Sequence, residues 1–156
     1  MIIRSIIRIA SAIITDASGR CLLVRKKGTT HFIQPGGKIE NDETPLAALQ
    51  RELFEELRLN THQEQFDYVG CFEEKAVNEA ECTLSAEIYH LHIESQDCVP
   101  AAEVEETLWY SFHEQKNVLI APLTTVHLLP LVEKLARDAC LAQDFRKHKF
   151  NDEAGA

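Results

Sequence analysis

The chain has 156 residues, 45% hydrophobic and 26% charged, which is typical of one globular domain and excludes a disordered or fibrous protein. The formal net charge of −9 argues against a broad basic surface for long nucleic acid. It permits a small phosphorylated ligand if metal ions and a local basic cluster offset the field. The five cysteines lack C-x-x-C spacing, which favours reduced thiols in a cytoplasmic protein.

The first predicted elements are two strands. The apolar N-terminal segment is interrupted by Arg4 and Arg8, so we expect neither a membrane span nor a signal peptide. Residues 6–14 predict a buried strand, and residues 16–19 predict a turn. Residues 20–27 would then form the second strand of a hairpin.

A glycine turn and a helix follow. Gly36 and Gly37, after Pro35, indicate a sharp bend or a close backbone approach. Thr44 and Pro45 predict a helix start, with Thr44 as the N-cap and Pro45 as the first helical residue. Four leucines at helical spacing form its apolar stripe: Leu46, Leu49, Leu53 and Leu57.

The second half of the chain predicts more strands and a closing helix. Residues 66–76 and 82–94 predict two strands, and a short strand is expected near Trp109. Residues 122–137 predict a helix that is kinked or restarted at Pro130. The order of strands, helix, strands and helix predicts an α+β fold, with helices packed on a mixed sheet.

Three carboxylates of the first helix share one face. At about 100° per residue, Glu52, Glu55 and Glu56 lie together and away from the leucine stripe. Hard divalent cations such as Mg²⁺ bind carboxylate oxygens, together with substrate phosphates and water. The alternative is a solvated helix face on which Arg51 and Arg58 supply the countercharge.

The residues before this helix favour the metal site. Gly37 can offer its carbonyl oxygen as a neutral ligand. Four cations stand near the glycines of an otherwise acidic chain: Arg25, Lys26, Lys27 and Lys38. Cations for phosphates and carboxylates for a metal ion are the groups that phosphoryl transfer requires.

This segment resembles the Nudix box, whose pattern is G-x5-E-x7-R-E-U-x-E-E-x-G-U, where U is aliphatic. Arg58 is the one departure, because it replaces the glycine that normally ends the helix in a left-handed conformation. This replacement costs on the order of 1 kcal/mol and removes no ligand. The matching positions are Gly37, Glu43, Arg51, Glu52, Leu53, Glu55, Glu56 and Leu59.

The resemblance implies a Nudix fold, in which a mixed β-sheet is sandwiched between α-helices. The domain would span residues 1–140, followed by a partly disordered tail at residues 141–156. The implied activity is hydrolysis of a nucleoside diphosphate linked to a group X, by water attack on phosphorus with Mg²⁺ or Mn²⁺. We expect a small-molecule nucleotide substrate, no long nucleic acid, no membrane, and a cytoplasmic monomer or homodimer.

The resemblance also assigns roles to residues. Glu52, Glu55 and Glu56 would be metal ligands, together with the carbonyl of Gly37. Arg51 and Glu43 would form an ion pair that braces the box loop against the helix. The expected phosphate-binding residues are Arg25 and Lys38.

The identity of the general base stays open. Either Glu52 or a loop glutamate would deprotonate the attacking water. The loop candidates are Glu103, Glu105 and Glu106, of which Glu103 is favoured. A solvated acidic loop is the alternative for each of these three residues.

Two features of the sequence leave other interpretations open. His90 and His92 point to one sheet face, but a structural pair is favoured over a metal site because no third ligand stands at suitable spacing. A catalytically silent Nudix-fold sensor of a nucleotide metabolite is the alternative function. The intact set of box carboxylates argues against that alternative, and no motif identifies the substrate.

Overall fold

The computed structural model describes residues 5–76, 81–94, 98–111, 113–114 and 117–154. Six strands are present in this part of the chain: β1 Ser5–Thr15, β2 Cys21–Lys26, β3 Gly36–Lys38, β4 Phe66–Lys75, β5 Cys82–His92 and β6 Val104–Tyr110. The helical elements are α1 Pro45–Leu57, a 3₁₀ turn at Gln63–Gln65, a π-helical segment at Leu123–Leu128, and α2 Leu129–Ala154.

The strands form one mixed sheet in the order β4-β5-β1-β2-β6, with β3 paired to β1. β1 runs parallel to β5, and the other pairs are antiparallel. The mixed sheet predicted from the order of elements is therefore confirmed. The predicted hairpin of β1 and β2 is paired only at Thr15 and Cys21, because β3 pairs with β1 at Ile9, Ala10 and Ser11.

The sheet is covered on both faces, because side chains alternate along β1. Ala12 and Ile14 pack in one buried cluster with Leu53 of α1. Ile13 packs in a second cluster with Val132 of α2. The predicted arrangement of a sheet between helices is confirmed.

The start of α1 follows the predicted capping. The Thr44 hydroxyl accepts a hydrogen bond from the Ala47 backbone N–H at 3.1 Å, and Pro45 is the first helical residue. Three leucines of the stripe are buried, and Leu46 is half-buried. The helix ends at Leu57, and Arg58 adopts the left-handed conformation with φ 56° and ψ 28°.

The closing helix is longer than the sequence predicted. A π-helical segment precedes it, so that α2 begins at Leu129, one residue before Pro130. It continues to Ala154, because no glycine or proline interrupts residues 131–154. The predicted boundary at residue 140 therefore falls inside α2. Within the described residues, no helix is long and apolar enough to cross a membrane.

Candidate active site

The glycine turn brings the backbone of β3 against α1. Gly36 has φ +145°, and a Cβ there would lie 2.7 Å from Ser11 Cα and overlap the carbonyl oxygen of Ala10. A Cβ on Gly37 would lie 2.7 Å from Oε2 of Glu52. Both contacts are closer than a side chain allows, so only glycine lets this backbone reach the Glu52 carboxylate.

Glu56 is a buried acid at the same place. Its side chain is only 4% exposed, Oε2 accepts a hydrogen bond from the Gly36 N–H at 3.2 Å, and Lys26 Nζ lies 3.4 Å from Oε1. Burial raises the pKa of Glu56 to about 7, against the opposing effect of Lys26. A carboxyl with this pKa lies in a site that lacks full compensation for its negative charge.

Arg51 connects the carboxylates of α1 to the loop between β3 and α1, which contains Glu43. Its Nε and Nη2 each donate to Glu43 at 2.9 Å, and Nη1 donates to Glu52 at 2.9 Å. Nη1 also lies 3.5 Å from the Glu55 carboxylate, and Nη2 donates to the carbonyl of Lys38. The hydrogen bonds from Arg51 lower the pKa of Glu43 to about 2.

The proposed metal ligands are held by cations of the chain itself. Arg51 contacts Glu52 and Glu55, and Lys26 contacts Glu56. Accordingly, the part of the chain that the structure describes contains no preformed group of three or more His, Cys, Asp or Glu side chains that could hold a metal.

The chemistry of the donors nevertheless fits a hard divalent cation. All three side chains offer carboxylate oxygens, which Mg²⁺ and Mn²⁺ prefer. Gly37 brings its backbone against the Glu52 carboxylate, and the buried Glu56 carboxylate accepts a hydrogen bond from the N–H of the adjacent Gly36. The residues present therefore suit a divalent cation.

A cavity of about 360 Å³ adjoins these groups. Gly37, Lys38 and Glu103, three of the residues predicted for the site, line it. Lys26 lines it as well, although the residue of this strand that was expected to bind phosphate is its neighbour Arg25.

Arg25 has other partners. Its Nε lies 3.4 Å from Oε1 of Glu106, and Nη1 donates to the carbonyl of Thr29 at 3.0 Å. Adjacent residues of a strand point to opposite faces of the sheet, so Arg25 and Lys26 have different surroundings. Because most of β2 is buried on both faces, its sequence does not show which face carries the site.

The loop that carries Glu103 is tied to the end of α1. The N–H of Ala101 donates to the carbonyl of Glu56 at 2.9 Å, and the N–H of Val99 donates to that of Leu57 at 3.0 Å. These bonds satisfy helix carbonyls that would otherwise lack a partner. Of the three candidate bases, Glu103 precedes β6, whereas Glu105 and Glu106 lie within that strand.

Two buried polar residues of the cavity wall were not among the predicted site residues. Gln34 is 3% exposed and Thr124 is 1% exposed, and the Thr124 hydroxyl donates a hydrogen bond to Oε1 of Gln34. The π-helical segment positions Thr124, and such segments are frequent at functional sites. The only sequence signal was a glutamine directly before Pro35.

The histidine pair lies outside this cavity. His90 Nε2 and His92 Nδ1 both contact the hydroxyl of Thr15, at 2.8 and 3.1 Å. Burial lowers the pKa of His90, which favours its neutral form. This geometry is that of a structural hydrogen-bonded group.

The fold is a mixed sheet between helices, and two glycines pack beside helix carboxylates next to a cavity. These features together define the class of protein. The NUDIX domain model matches residues 6–130. The chain belongs to the Nudix family, and the resemblance of its box is confirmed. No curated protein matches the chain.

Solved structures of Nudix proteins share this fold. The MutT NUDIX hydrolase from Burkholderia pseudomallei is 20% identical with a TM-score of 0.64, and the match covers 84% of this chain and 98% of that one. A MutT/nudix family protein from Enterococcus faecalis is 16% identical with a TM-score of 0.60, covering 70% of this chain and 45% of that one.

A third structure is a bifunctional NMN adenylyltransferase/ADP ribose pyrophosphatase from Francisella tularensis, complexed with AMP and a Mn ion. It is 19% identical with a TM-score of 0.61. The match covers 86% of this chain and 43% of that one. This chain thus spans less than half of the Enterococcus and Francisella proteins.

Proposed function

We propose that this protein is a divalent-metal-dependent pyrophosphohydrolase that cleaves a nucleoside di- or triphosphate derivative by water attack on phosphorus. One observation carries the proposal: the backbone of Gly37 packs against Glu52 beside the buried Glu56, where a cavity also receives Lys26 and Lys38. Carboxylates, cations and a ligand-sized cavity meet there.

The metal site consists of the carboxylates of Glu52, Glu55 and Glu56 with the carbonyl of Gly37. A bound Mg²⁺ or Mn²⁺ neutralises the diphosphate and lowers the pKa of its bound water. The structure of the Francisella relative contains AMP and a Mn ion, which supports a divalent cation as the cofactor. Arg51 keeps Glu52 and Glu55 oriented.

The remaining residues act on phosphate and water. Lys26 and Lys38 hold substrate phosphates at the cavity, and Arg25 stays a candidate for the same role. Glu103 accepts the proton of the attacking water, with Glu52 as the alternative base.

Cys21 is the cysteine nearest in sequence to Arg25, Lys26 and Lys27, and its thiol is buried. No covalent intermediate forms at this thiol. Burial raises its pKa to about 12, so the thiol stays protonated near neutral pH.

A release assay tests the proposal. Phosphate and pyrophosphate are measured with nucleoside triphosphates, nucleotide sugars and dinucleoside polyphosphates, each with Mg²⁺, Mn²⁺ or EDTA. We expect turnover of at least one compound with metal and none with EDTA. Glu103→Gln should lower turnover at least tenfold, about 1.4 kcal/mol of barrier, whereas Glu105→Gln should not. Tight nucleotide binding without any turnover would instead identify a sensor.

A further inference from the structure

The outer part of the sheet exposes one of its faces to solvent. Ala10 and Ile14 of β1 pack in the buried cluster under α1. Side chains alternate along a strand, so Ile6 and Arg8 point to the same face as Ala10, yet Ile6 is 65% exposed and Arg8 is exposed as well. The face continues across the two neighbouring strands. We call this surface the open face; its main residues are Ile6 and Arg8 of β1, Ser85 and Glu87 of β5, and Tyr68 and Glu73 of β4.

Arg8 and Glu73 lie on opposite sides of the middle strand of this face. Ser85 of β5 is paired with Arg8 of β1 and with Glu73 of β4. Adjacent strands are about 4.8 Å apart, so the two charged residues are equally far from Ser85. Both side chains are exposed, and neither makes an ion pair with the part of the chain that the structure describes. The open face therefore offers a cation and an anion that are symmetrically placed about β5.

A second copy of the chain fits this arrangement. When two copies associate about a two-fold axis, the same patch of each is in contact, so the patch must be complementary to itself. An axis along β5 exchanges the two flanking strands, which puts Arg8 of each copy opposite Glu73 of the other. It also puts Ile6 opposite Lys75, because both are paired with Thr83, and the methylene stem of a lysine packs on apolar surface. Each half of the interface thus gains an ion pair and an apolar contact.

The edge of β4 is the competing route to association. β4 is an outermost strand of the sheet, and an unpaired edge can pair with another chain. However, the pairing of β4 with β5 shifts register between Tyr68 and Gly70. An irregularity of this kind bends an edge strand and disrupts its regular hydrogen bonding. The face is therefore favoured over the edge.

We propose that the open face is a weak self-association surface, on which two copies of this chain pack face to face with Arg8 of each opposite Glu73 of the other. The cavity stays accessible in this dimer. Ile7 and Ile9, which line the cavity, alternate with the β1 residues of the open face and point to the opposite side of the sheet. Association is therefore independent of the proposed function.

Two features keep the association weak. Three strands at a spacing of about 4.8 Å present less than the roughly 800 Å² that each partner contributes to a standard interface. Glu87 lies on the axis and would face its own copy, although the Tyr68 hydroxyl donates to its carboxylate at 2.6 Å. We expect a dissociation constant of about 0.1 mM, so the chain is monomeric at low micromolar concentrations.

Charge reversal tests the pairing of Arg8 with Glu73. Arg8→Glu and Glu73→Arg each place like charges opposite one another, so each variant should stay monomeric. In an equimolar mixture of the two variants, both contacts again join opposite charges, and dimers should form. Exposed positions away from the face supply matched controls with the same charge changes: Arg146→Glu for the first variant and Glu105→Arg for the second.

Sedimentation equilibrium from about 5 µM to about 1 mM spans the expected dissociation constant. The weight-average mass of the wild type should rise with concentration above the 17.7 kDa of one chain, and both controls should behave in the same way. The dissociation constant of the wild type should increase at least about threefold in about 0.5 M NaCl, because salt screens exposed ion pairs. Melting temperatures at low micromolar concentration should agree within a few degrees, since surface substitutions cost little.

Three results would overturn the proposal. The first is a wild type that stays monomeric at about 1 mM or that associates regardless of salt. The second is undiminished association of either single variant, which would place the interface elsewhere, such as at the edge of β4. The third is a mixture that stays monomeric, which would show that Arg8 and Glu73 do not face each other. None of these results concerns turnover, so the release assay judges the hydrolase separately.

Discussion

Arg51 explains how like charges coexist on one helix face. Glu52 and Glu55 would repel each other at helical spacing, but the Arg51 guanidinium contacts both and also holds Glu43. An arginine stays charged at any working pH and offers a planar set of donors for several carboxylates. It thereby keeps these two carboxylates, which are proposed metal ligands, ordered in the absence of an ion.

Glu43→Gln should destabilise the protein in a pH-dependent way. The folded-state pKa of Glu43 is about 2, below the ordinary value of 4.5, because of its hydrogen bonds from Arg51. The contribution of Glu43 to the free energy of unfolding is therefore present above pH 4.5 and is lost as the pH falls through 2. We expect a lower melting temperature for the variant at pH 7, with a difference that shrinks towards pH 2. Glu73→Gln, at an exposed strand position, is the control. A difference that does not change with pH would contradict this assignment.

Arg58→Gly should stabilise the protein and leave turnover unchanged. The left-handed conformation of Arg58 costs a residue with a Cβ about 1 kcal/mol, which corresponds to roughly 3 °C in Tm for a chain of this size. Arg58→Ala is the matched control, since it also removes the contact with the Phe54 ring but keeps the Cβ. We expect no gain in Tm for the alanine variant. A tenfold fall in turnover of Arg58→Gly would mean that Arg58 touches substrate.

At the scale of elements, the shortest strand has the largest effect on the site. β3 has three residues, yet it pairs with β1 and packs against α1. The sequence predicted a bend there, but no periodicity is readable in three residues. The helix start at Thr44 and Pro45 was predictable, because capping depends on adjacent residues. The length of α2 was not, because its last turns contain no stop signal.

The two glycines of this turn should respond differently to alanine. Gly36→Ala would place a Cβ against backbone, which cannot move aside, and should cost about 1–3 kcal/mol of unfolding free energy or more. For Gly37→Ala, the three atoms nearest to the new Cβ all belong to the movable carboxylate of Glu52. It should leave Tm within a few degrees of wild type and lower turnover at least roughly tenfold. Calorimetry and a turnover assay distinguish the two, and full activity in Gly37→Ala would refute the placement of Glu52.

At the scale of the whole molecule, the site joins elements that are far apart in the sequence. The box carboxylates were predictable because they lie on one helix at fixed spacing. The ion pair of Lys26 with Glu56 and the Gln34–Thr124 pair were not predictable, because strand pairing and the packing of the π-helical segment bring these residues to the cavity. Such contacts leave no local pattern in the sequence. The two buried clusters on opposite faces of the sheet hold α1 and α2 apart, with the cavity between β1 and the π-helical segment.

Hydrolysis in ¹⁸O-labelled water tests the central claim most directly, because it reports which atom the water attacks. The substrate is the compound turned over fastest in the release assay, with Mg²⁺ present and with an EDTA control. The site offers carboxylates for a metal ion and a candidate base for water, so the label should enter a phosphate-containing product, and no product should form with EDTA. Label found only in the fragment without phosphate would contradict water attack on phosphorus.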